Sequence, residues 1–551
     1  MTADENYCGG VAQAGFQEGV DAALEILARG GNAIDAGTAA LLVLSVRGIG
    51  TTCIGGEVPI LFYGADTGKV TVLSGQGAAP TSQLAIDWYL ENGIPAGDIR
   101  ASAVPALIDA CVQALRLYGT LTFAEVSRPA LATLETGGDN WYRDTLSNRI
   151  VCGLSGRPIG SALKGFDTQG RNWHADLAAT FRKLVEAEQM ASGDREDRLQ
   201  AVSDRFYRGD IAEDLAHWYV ERGGFLRSSD LARHTTHIEE PISVNYRGHT
   251  VYKCGPWTQG PYVAQALRLL EGWDLSQYEL LGADHIHLVT EAMKLALADR
   301  DEHYGDPLMA DVPMQELLCD QYTGSRRSLI DMENASHAVR PGDPRRLRPL
   351  IEPSHELAPD SAGTTTCAVT DRWGNVFVST PSGVGSMAGS GARTGITHGT
   401  RLTQFNTLAG HSNCIASGKR PRTTLSPSLV LKDGMPALAL SIPSAHLQDQ
   451  AALQVIVAMI DFEQDHRTLA TLPRFYTRHY VGGMEVPETA LGSLRLPESI
   501  DRKTRSELEA RGHVVTTLRR DVGGISMLTF DRQNGQCQFA GDAPGGRIGG
   551  P

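Results

Sequence analysis

The chain has 551 residues, of which 42% are hydrophobic and 21% charged, and this balance excludes a fibrous or disordered class. Its formal charge of −14 argues against a nucleic-acid partner or an anionic membrane surface. No apolar stretch reaches the roughly eighteen residues of a membrane-spanning helix. The N-terminus also lacks a signal peptide's basic and apolar regions, so we expect a cytoplasmic protein without a membrane partner.

Helical and strand-like patterns alternate along the chain. Predicted helices cover residues 15–48 (as a pair), 106–135, 175–223, 261–273, 283–303 and 448–462. Predicted strands cover residues 58–75, 242–256, 365–381, 393–405, 428–442, 476–486 and 524–541. Helices at both ends of the chain with strands among them favour helices layered on antiparallel sheets.

Residues 325–363 differ in character from the rest of the chain. This stretch carries five prolines, many charges and no sustained period, and it ends just before three threonines. We expect an extended or mobile segment here. Nine scattered cysteines without a Cys-x-x-Cys pair favour reduced thiols over disulfides or a zinc site.

The threonines Thr364, Thr365 and Thr366 follow Gly363 and open a predicted strand. The simplest explanation is the preference of threonine for strands. The alternative is a nucleophile, because a threonine at a chain N-terminus can use its own α-amine as the base. That requires cleavage of the 363–364 bond, and a glycine at 363 permits the strained geometry that such a cleavage needs.

Several motifs in one order resemble the γ-glutamyltranspeptidase family of self-cleaving N-terminal-nucleophile hydrolases. They are ILARGGNAIDAGTAA, IGGE, FYRGDIAEDLA, EEPISVNYRGHTVYKCGPWTQG, MKLALADRDEHYGDP, TTTCAVTDRWGN, KRPRTTLSPSLVLKDG and AGDAPGGRIGG. The resemblance implies an α+β fold, a four-layer αββα sandwich with two stacked, mainly antiparallel sheets. It also implies cleavage into a large subunit, 1–363, and a small subunit, 364–551, which together build one core.

Alignment on Asp371 and Gly374 implies that Thr364 is the nucleophile and Gly363–Thr364 the cleavage site. The same alignment implies that Ser382 hydrogen-bonds the nucleophile, and Thr366 is a candidate second hydroxyl. The family's glycine pair, whose N–H groups form the oxyanion hole, falls on Ser444 and Ala445.

The substrate-binding positions depart from the family pattern. A carboxylate-binding arginine falls on Ala85, with Arg100 nearby, and an amine-binding asparagine falls on Val384. A Gln and Asp pair falls on Arg401 and Gln404.

Arg401 beside Thr423 and Thr424 therefore predicts a carboxylate site with no partner for an α-ammonium. The alternative is that Arg401 forms a structural ion pair and another arginine binds substrate.

These features predict an amidohydrolase that hydrolyses or transfers an acyl group from a small acidic amide lacking a free α-amino group, through an acyl-Thr364 intermediate. A true γ-glutamyltransferase or glutathione hydrolase, and an uncleaved binding or scaffold protein, are the alternatives. No cofactor or metal is expected, and a homo-oligomer of the two-subunit unit is left open.

Other residues have simpler explanations. His285 and His287 are expected at a surface or a cap rather than at a metal. The charge run 299–302 predicts a solvated face or a structural ion-pair network, and GGRIGG a packed turn. Cys367 is expected to be a core thiol.

Overall fold

The computed structural model describes residues 2–3, 10–48, 51–136, 173–350, 363–383, 391–480, 491–519, 524–531, 536–541 and 547–549. The strands in these ranges are β1 Thr2–Ala3, β2 Gly10–Ala14, β3 Val58–Gly64, β4 Lys69–Gly75, β5 Ile238–Glu239, β6 Ile242–Tyr246, β7 His249–Lys253, β8 Gly342–Asp343, β9 Arg348–Pro349, β10 Cys367–Asp371, β11 Val376–Ser379, β12 Ser428–Lys432, β13 Met435–Ser441, β14 Ser493–Pro497, β15 Val514–Leu518, β16 Ser526–Asp531, β17 Gln536–Gly541 and β18 Arg547–Gly549.

The α-helices in the same ranges are α1 Gln17–Ala28, α2 Ala33–Arg47, α3 Gln83–Asn92, α4 Leu107–Tyr118, α5 Phe123–Thr136, α6 Trp173–Met190, α7 Arg195–Tyr207, α8 Asp210–Glu221, α9 Ser228–Ala232, α10 Pro261–Leu270, α11 Ala283–His303, α12 Met314–Leu318, α13 Asp320–Arg327, α14 Leu447–Asp461, α15 His466–Thr471 and α16 Arg502–Ala510. None of the helices described here is long and apolar enough to cross a membrane.

Two seven-stranded sheets form the centre of the molecule. Sheet I has the order β18-β2-β10-β11-β3-β4-β5, and sheet II the order β1-β17-β16-β13-β12-β7-β6. Every pairing in both sheets is antiparallel. The predicted mainly antiparallel arrangement is confirmed.

Three separate apolar cores show that the sheets are stacked between helices. One core joins sheet I to helices α1, α2 and α4 to α8, and a second joins sheet II to α10, α11 and α14. The third lies between the sheets and contains Val11, Leu61, Val378, Leu429 and Leu528. This is the predicted αββα sandwich.

Side-chain alternation along β10 and β11 explains how sheet I serves two cores at once. Cys367 and Phe377 face the helices, whereas Ala368 and Val378 face sheet II. Burial raises the pKa of the Cys367 thiol to about 12, so this cysteine is a core thiol, as predicted.

Helix α2 is anchored directly to the turn between β10 and β11. Asn32 and Asp35 form a capping box at the start of the helix, and the Ala33 N–H donates to Asp371 Oδ2 at 2.8 Å. Gly37 lies against the Phe377 ring so closely that a Cβ would come within 2.4 Å of it. The motif GGNAIDAG therefore sets the spacing between the helices and sheet I.

The predicted strand over 393–405 is wrong. Single 3₁₀ turns occupy Ala392–Thr394 and Arg401–Gln404 instead. Gly391 and Gly395 have φ angles of 59° and 66°, and this left-handed backbone interrupts a strand.

The described part of the predicted mobile segment makes specific contacts. The Gly342 N–H donates to Asp299 Oδ1 at 2.8 Å, and Arg326 donates to the Arg340 carbonyl. Residues 351–362 lie outside the described ranges, so the mobility of segment 325–363 stays a prediction.

Candidate active site

The ends of four strands from both sheets meet at one edge of the sandwich. Thr366 Oγ1, just before β10, lies 2.6 Å from Ser526 Oγ at the start of β16. Ser441 Oγ, at the end of β13, donates to the Ser379 carbonyl at the end of β11, at 2.8 Å. Thr364 lies two residues before Thr366 and is only 9% exposed. The predicted nucleophile is therefore buried at the edge of the sandwich where the two sheets meet.

The neighbouring threonines have different environments. The Thr365 N–H donates to the Pro381 carbonyl at 3.0 Å, and its side chain packs against Gly15. Thr366 is held by Ser526, and its carbonyl accepts the Gly15 N–H at 3.0 Å.

The Gly363 carbonyl, which belongs to the predicted cleavage bond, is the end of a chain of polar contacts. Gly363 has a φ angle of 115°. Ser382 Oγ donates to the Gly363 carbonyl at 2.5 Å, and Arg401 Nη2 donates to Ser382 Oγ at 2.6 Å. The same Nη2 lies 3.0 Å from Glu57 Oε2, and both of these side chains are 3% exposed.

Two glycines allow Glu57 to reach this place. Glu57 and Ser382 exchange both backbone hydrogen bonds, at 2.8 and 2.9 Å. A Cβ on Gly56 would come within 2.1 Å of the Ser382 carbonyl, so only glycine fits there. Gly55 donates to the Thr397 carbonyl at 2.9 Å. The IGGE motif thus inserts between residues 382–383 and residues 397–398.

Burial determines the ionisation of this cluster. It raises the pKa of the Glu57 carboxyl, although the Arg401 guanidinium favours the charged form. It also raises the pKa of Cys53 to about 12, so the protonated thiol donates to the Gly383 carbonyl at 3.1 Å. Glu57 was not predicted from the sequence; a lone carboxylate at the start of the apolar strand VPILFYG is the signal that points to it.

Arg401 therefore makes an ion pair with Glu57, which is the alternative that the sequence left open. Gln404 follows on the same 3₁₀ turn, and its carbonyl accepts from Asn413 Nδ2 at 2.7 Å. Thr423 exchanges backbone hydrogen bonds with Trp257 and Gln259, both at 2.8 Å, and Thr424 is buried beside it. A direct role of Arg401, Gln404 and the two threonines in substrate binding stays a prediction.

Ser444 and Ala445 follow strand β13 of sheet II and lead into helix α14. Their φ angles are 92° and 49°, a left-handed backbone that costs residues other than glycine on the order of 1 kcal/mol or more each. The Leu447 N–H donates to the Ser444 carbonyl at 3.0 Å, so this pair forms the entry to the helix. The amide dipoles at a helix N-terminus favour negative charge, which suits an oxyanion.

A buried polar network fixes this turn from behind. Gln259 Nε2 donates to the Ala445 carbonyl at 3.1 Å. Arg300 Nη1 donates to Gln259 Oε1 and to His446 Nδ1, each at 3.0 Å, and its Nη2 pairs with Asp301 at 2.7 Å. Burial, followed by the Arg300 charge, holds the pKa of His446 well below its usual value. The neutral imidazole can therefore accept from Arg300.

The charge run 299–302 thus supplies a structural ion-pair network, one of its two predicted roles. Asp299 and Arg300 are completely buried, so the other prediction, a solvated face, is wrong for them. The resemblance pointed to this motif, but Gln259 lies about forty residues away in sequence and only the fold brings them together.

The other positions considered in the sequence lie apart from this cluster or outside the described residues. Arg100 forms a two-point ion pair with Asp98, at 2.8 and 2.7 Å, and Ala85 is buried in α3. Val384 lies outside the described residues. Residues 547–549 of the GGRIGG motif form strand β18, which pairs with β2, so the predicted packed turn is wrong for them.

His285 and His287 are buried on helix α11, so a surface position is wrong for both. His285 Nδ1 accepts from the Leu281 N–H at 3.3 Å, just before the helix begins, which agrees with the predicted capping role. The nitrogens of His287 and His513 lie 2.8 Å apart, and with Glu291 they form a group of metal-ligand types. Lys294 and Arg340 already pair with Glu291, so the carboxylate is neutralised without a metal.

Comparisons with known proteins identify the family of this chain. The family model described as gamma-glutamyltranspeptidase matches residues 19–546. The Acylase ACY 1 proenzyme of Pseudomonas sp. (strain SE83) is 30% identical, covering 93% of this chain and 88% of that protein. The Glutathione hydrolase proenzyme of Bacillus subtilis (strain 168) is 27% identical, covering 94% and 87%.

A solved structure shares the fold. The cephalosporin acylase from Bacillus halodurans has a TM-score of 0.81 and 23% identity, with 100% of this chain and 98% of that chain covered. The whole-chain family match and the proenzyme relatives lead to one conclusion: this chain belongs to the gamma-glutamyltranspeptidase family and is an N-terminal-nucleophile hydrolase proenzyme.

Proposed function

We propose that the chain cleaves itself between Gly363 and Thr364 and then acts as an amidohydrolase through an acyl-Thr364 intermediate. The observation that carries this proposal is the setting of the 363–364 bond: Thr364 is buried, and the Ser382 hydroxyl donates to the Gly363 carbonyl at 2.5 Å.

In the maturation step, the Thr364 hydroxyl oxygen attacks the Gly363 carbonyl carbon, and the C–N bond between the two residues breaks. The product is an ester on Thr364 Oγ1 with a free α-amine. Water then hydrolyses the ester, leaving a carboxylate on Gly363 and a hydroxyl on Thr364.

In turnover, the Thr364 amine accepts the proton of its own hydroxyl while the oxygen attacks a substrate amide carbonyl. An α-amine has a pKa of about 7.7–8.0, so a useful fraction is free base near neutral pH. The N–H groups of Ser444 and Ala445 stabilise the oxyanion, and the amine of the substrate leaves with the proton that the Thr364 amine has taken up. Water then hydrolyses the acyl-Thr364 ester and releases the acid.

The proposed substrate is an amide whose acyl group lacks the α-amino acid head of a γ-glutamyl group. The departures at Ala85 and Arg401 support this specificity, because Arg401 stands where the family binds an ammonium. Its charge is balanced by Glu57, so a cationic head group would gain no unpaired carboxylate there. A small acidic acyl group, such as a dicarboxylic monoamide, is the form of this substrate that we propose.

Maturation is tested with the isosteric pair Thr364→Val and Thr365→Val. Mass spectrometry of the wild-type chain should give fragments 1–363 and 364–551, the second with an N-terminal threonine. Thr364→Val should give only the full chain and no amidase activity, while Thr365→Val should still be cleaved. A wild-type chain that stays intact on prolonged incubation would favour the binding or scaffold alternative.

Specificity is tested with two anilides that differ only in the α-amino group, glutaryl-p-nitroanilide and γ-glutamyl-p-nitroanilide. We expect kcat/KM for the glutaryl compound to be at least about tenfold higher, since an α-ammonium in the site lacks a counter-charge. The reverse preference would support the glutathione hydrolase alternative, the activity for which the relative from Bacillus subtilis is named.

A further inference from the structure

The position of the Ser382 proton follows from the partners of its hydroxyl. A serine hydroxyl has one proton to donate, whereas a guanidinium N–H can only donate. Arg401 Nη2 lies 2.6 Å from Ser382 Oγ, and the Gly363 carbonyl oxygen lies 2.5 Å from it. Because Arg401 donates to the Ser382 oxygen and cannot accept its proton, the Ser382 hydroxyl donates that proton to the Gly363 carbonyl.

Glu57 keeps the guanidinium in that position. A buried cation needs a counter-charge, and Glu57 Oε2 supplies it at 3.0 Å. The Glu57 backbone is also paired with the Ser382 backbone through two hydrogen bonds. The Glu57 carboxylate and the Ser382 hydroxyl are therefore held by paired backbone segments, and the Arg401 guanidinium contacts both side chains.

We propose that Glu57 and Arg401 are positioning residues for self-cleavage: the ion pair directs the Ser382 hydroxyl at the Gly363 carbonyl and so polarises the bond that Thr364 attacks. This inference rests on the proposed function of Thr364. It gives Arg401 a place in maturation rather than in substrate binding.

A donor aimed at the carbonyl stabilises the negative charge that develops on its oxygen during attack. Removing one such donor from an oxyanion site slows a reaction by about 10²–10³-fold. Ser382→Ala should therefore slow cleavage by about 100-fold. Glu57→Gln and Arg401→Met remove only the orientation of that donor, and each should slow cleavage by about tenfold.

The test follows cleavage of the full chain after pulse-labelled cell-free synthesis, so that the precursor is seen as it forms. Glu57→Asp keeps the charge and should mature faster than Glu57→Gln. The double variant Glu57→Gln/Arg401→Met should be no slower than the slower single variant, because both changes break one unit. Thermal melting of each precursor separates slow cleavage from misfolding.

Glu291→Gln is the matched control. Glu291 is equally buried and pairs with Lys294 and Arg340, but it lies on helix α11 in the helical layer beyond sheet II. It should lower the melting temperature while the folded precursor matures at the wild-type rate. If Glu291→Gln and Glu57→Gln slow cleavage equally, the effect is loss of stability and the inference is wrong.

Two further outcomes are decisive. If the wild type is cleaved before Thr364 and both Glu57→Gln and Arg401→Met mature at its rate, the positioning role is overturned while the proposed function stands. If the wild type is not cleaved before Thr364, the proposed function fails and this inference fails with it.

Discussion

Two groups of residues at this edge of the sandwich are proposed to donate hydrogen bonds to a carbonyl oxygen that becomes negative, and they use different donors. On the proposed oxyanion side, the donors are backbone N–H groups, and the turn at Ser444 and Ala445 has a left-handed backbone without glycine. On the proposed nucleophile side, the donor is a hydroxyl group, and Ser382 is held by the buried pair of Glu57 and Arg401.

Each side also contains a buried ion pair, and the two pairs differ in what they touch. Lys253 Nζ uses its three donors on Asp449, Ser428 and the Ser426 carbonyl, at 2.7, 2.7 and 3.1 Å. All of these partners are structural. Arg401, in contrast, reaches a hydroxyl that touches the bond to be cleaved. The same kind of interaction therefore has structural partners on one side and reaches the proposed cleavage bond on the other.

The largest effect is expected from Lys253→Met. This change leaves Asp449 buried without its cation, and burial already raises the pKa of that carboxyl. Breaking one partner of a buried pair costs about 3–5 kcal/mol, so the free energy of unfolding should fall by that amount in urea titration.

The double variant Lys253→Met/Asp449→Leu is the control for this prediction. It replaces the pair with apolar groups and should recover most of the loss. A double variant as unstable as the single one would mean that the lysine contributes through Ser426 and Ser428 rather than through the pair.

The next effect concerns His398, which is buried on the nucleophile side beside Gly55. Burial lowers the pKa of His398 to about 4, and the neutral ring accepts from the Tyr219 hydroxyl at 2.5 Å. The unfolded chain takes up this proton near pH 6.5, whereas the folded chain does so only near pH 4, so the stability falls as the pH drops through that window. By pH 5 this one group should cost about 2 kcal/mol relative to pH 7.

The variant His398→Gln isolates this contribution, because glutamine does not titrate. The melting temperature of the variant should fall less steeply between pH 6.5 and pH 4 than that of the wild type. Parallel curves would show that His398 keeps its proton affinity in the folded protein.

The third prediction returns to the oxyanion turn, where the backbone is expected to matter more than the side chain. Ala445 has a φ angle of 49°, which a β-branched residue strongly disfavours. Ala445→Val should lower kcat by about tenfold, in line with a strain of about 1–2 kcal/mol, while Ala445→Gly should stay within about twofold. Equal kcat values for the two variants would show that this conformation is not needed for turnover.

The fold of this chain could be predicted from the sequence more completely than the contacts of its candidate site. Helix α2 and the strands within residues 365–381 are predicted correctly, because both depend on local periodicity and turn residues, whereas the αββα sandwich is predicted from the resemblance to the family. The 3₁₀ turn that carries Arg401 was mistaken for a strand, since its buried side chains imitate one.

The contacts that give the site its character are long-range and were not predictable from local pattern. Glu57 and Arg401 are 344 positions apart in the sequence, and Gln259 and Ala445 are 186 apart. The sequence shows that Arg401 is a charge at a position where the family has none of that sign. Its partner Glu57 is found only in the structure, because Gly55 and Gly56 let the residues before β3 pack against residues 382–383.

The smallest effect is expected from Arg100→Ala, which tests whether Arg100 takes part in substrate binding. Arg100 was the other arginine considered for substrate binding, but its guanidinium pairs with Asp98 and lies over the Trp88 ring at 4.6 Å. The pair is about one-third exposed, so its loss should cost less than about 1 kcal/mol, and KM for the preferred anilide should change by less than about twofold. A large rise in KM with unchanged stability would instead place the substrate carboxylate at Arg100.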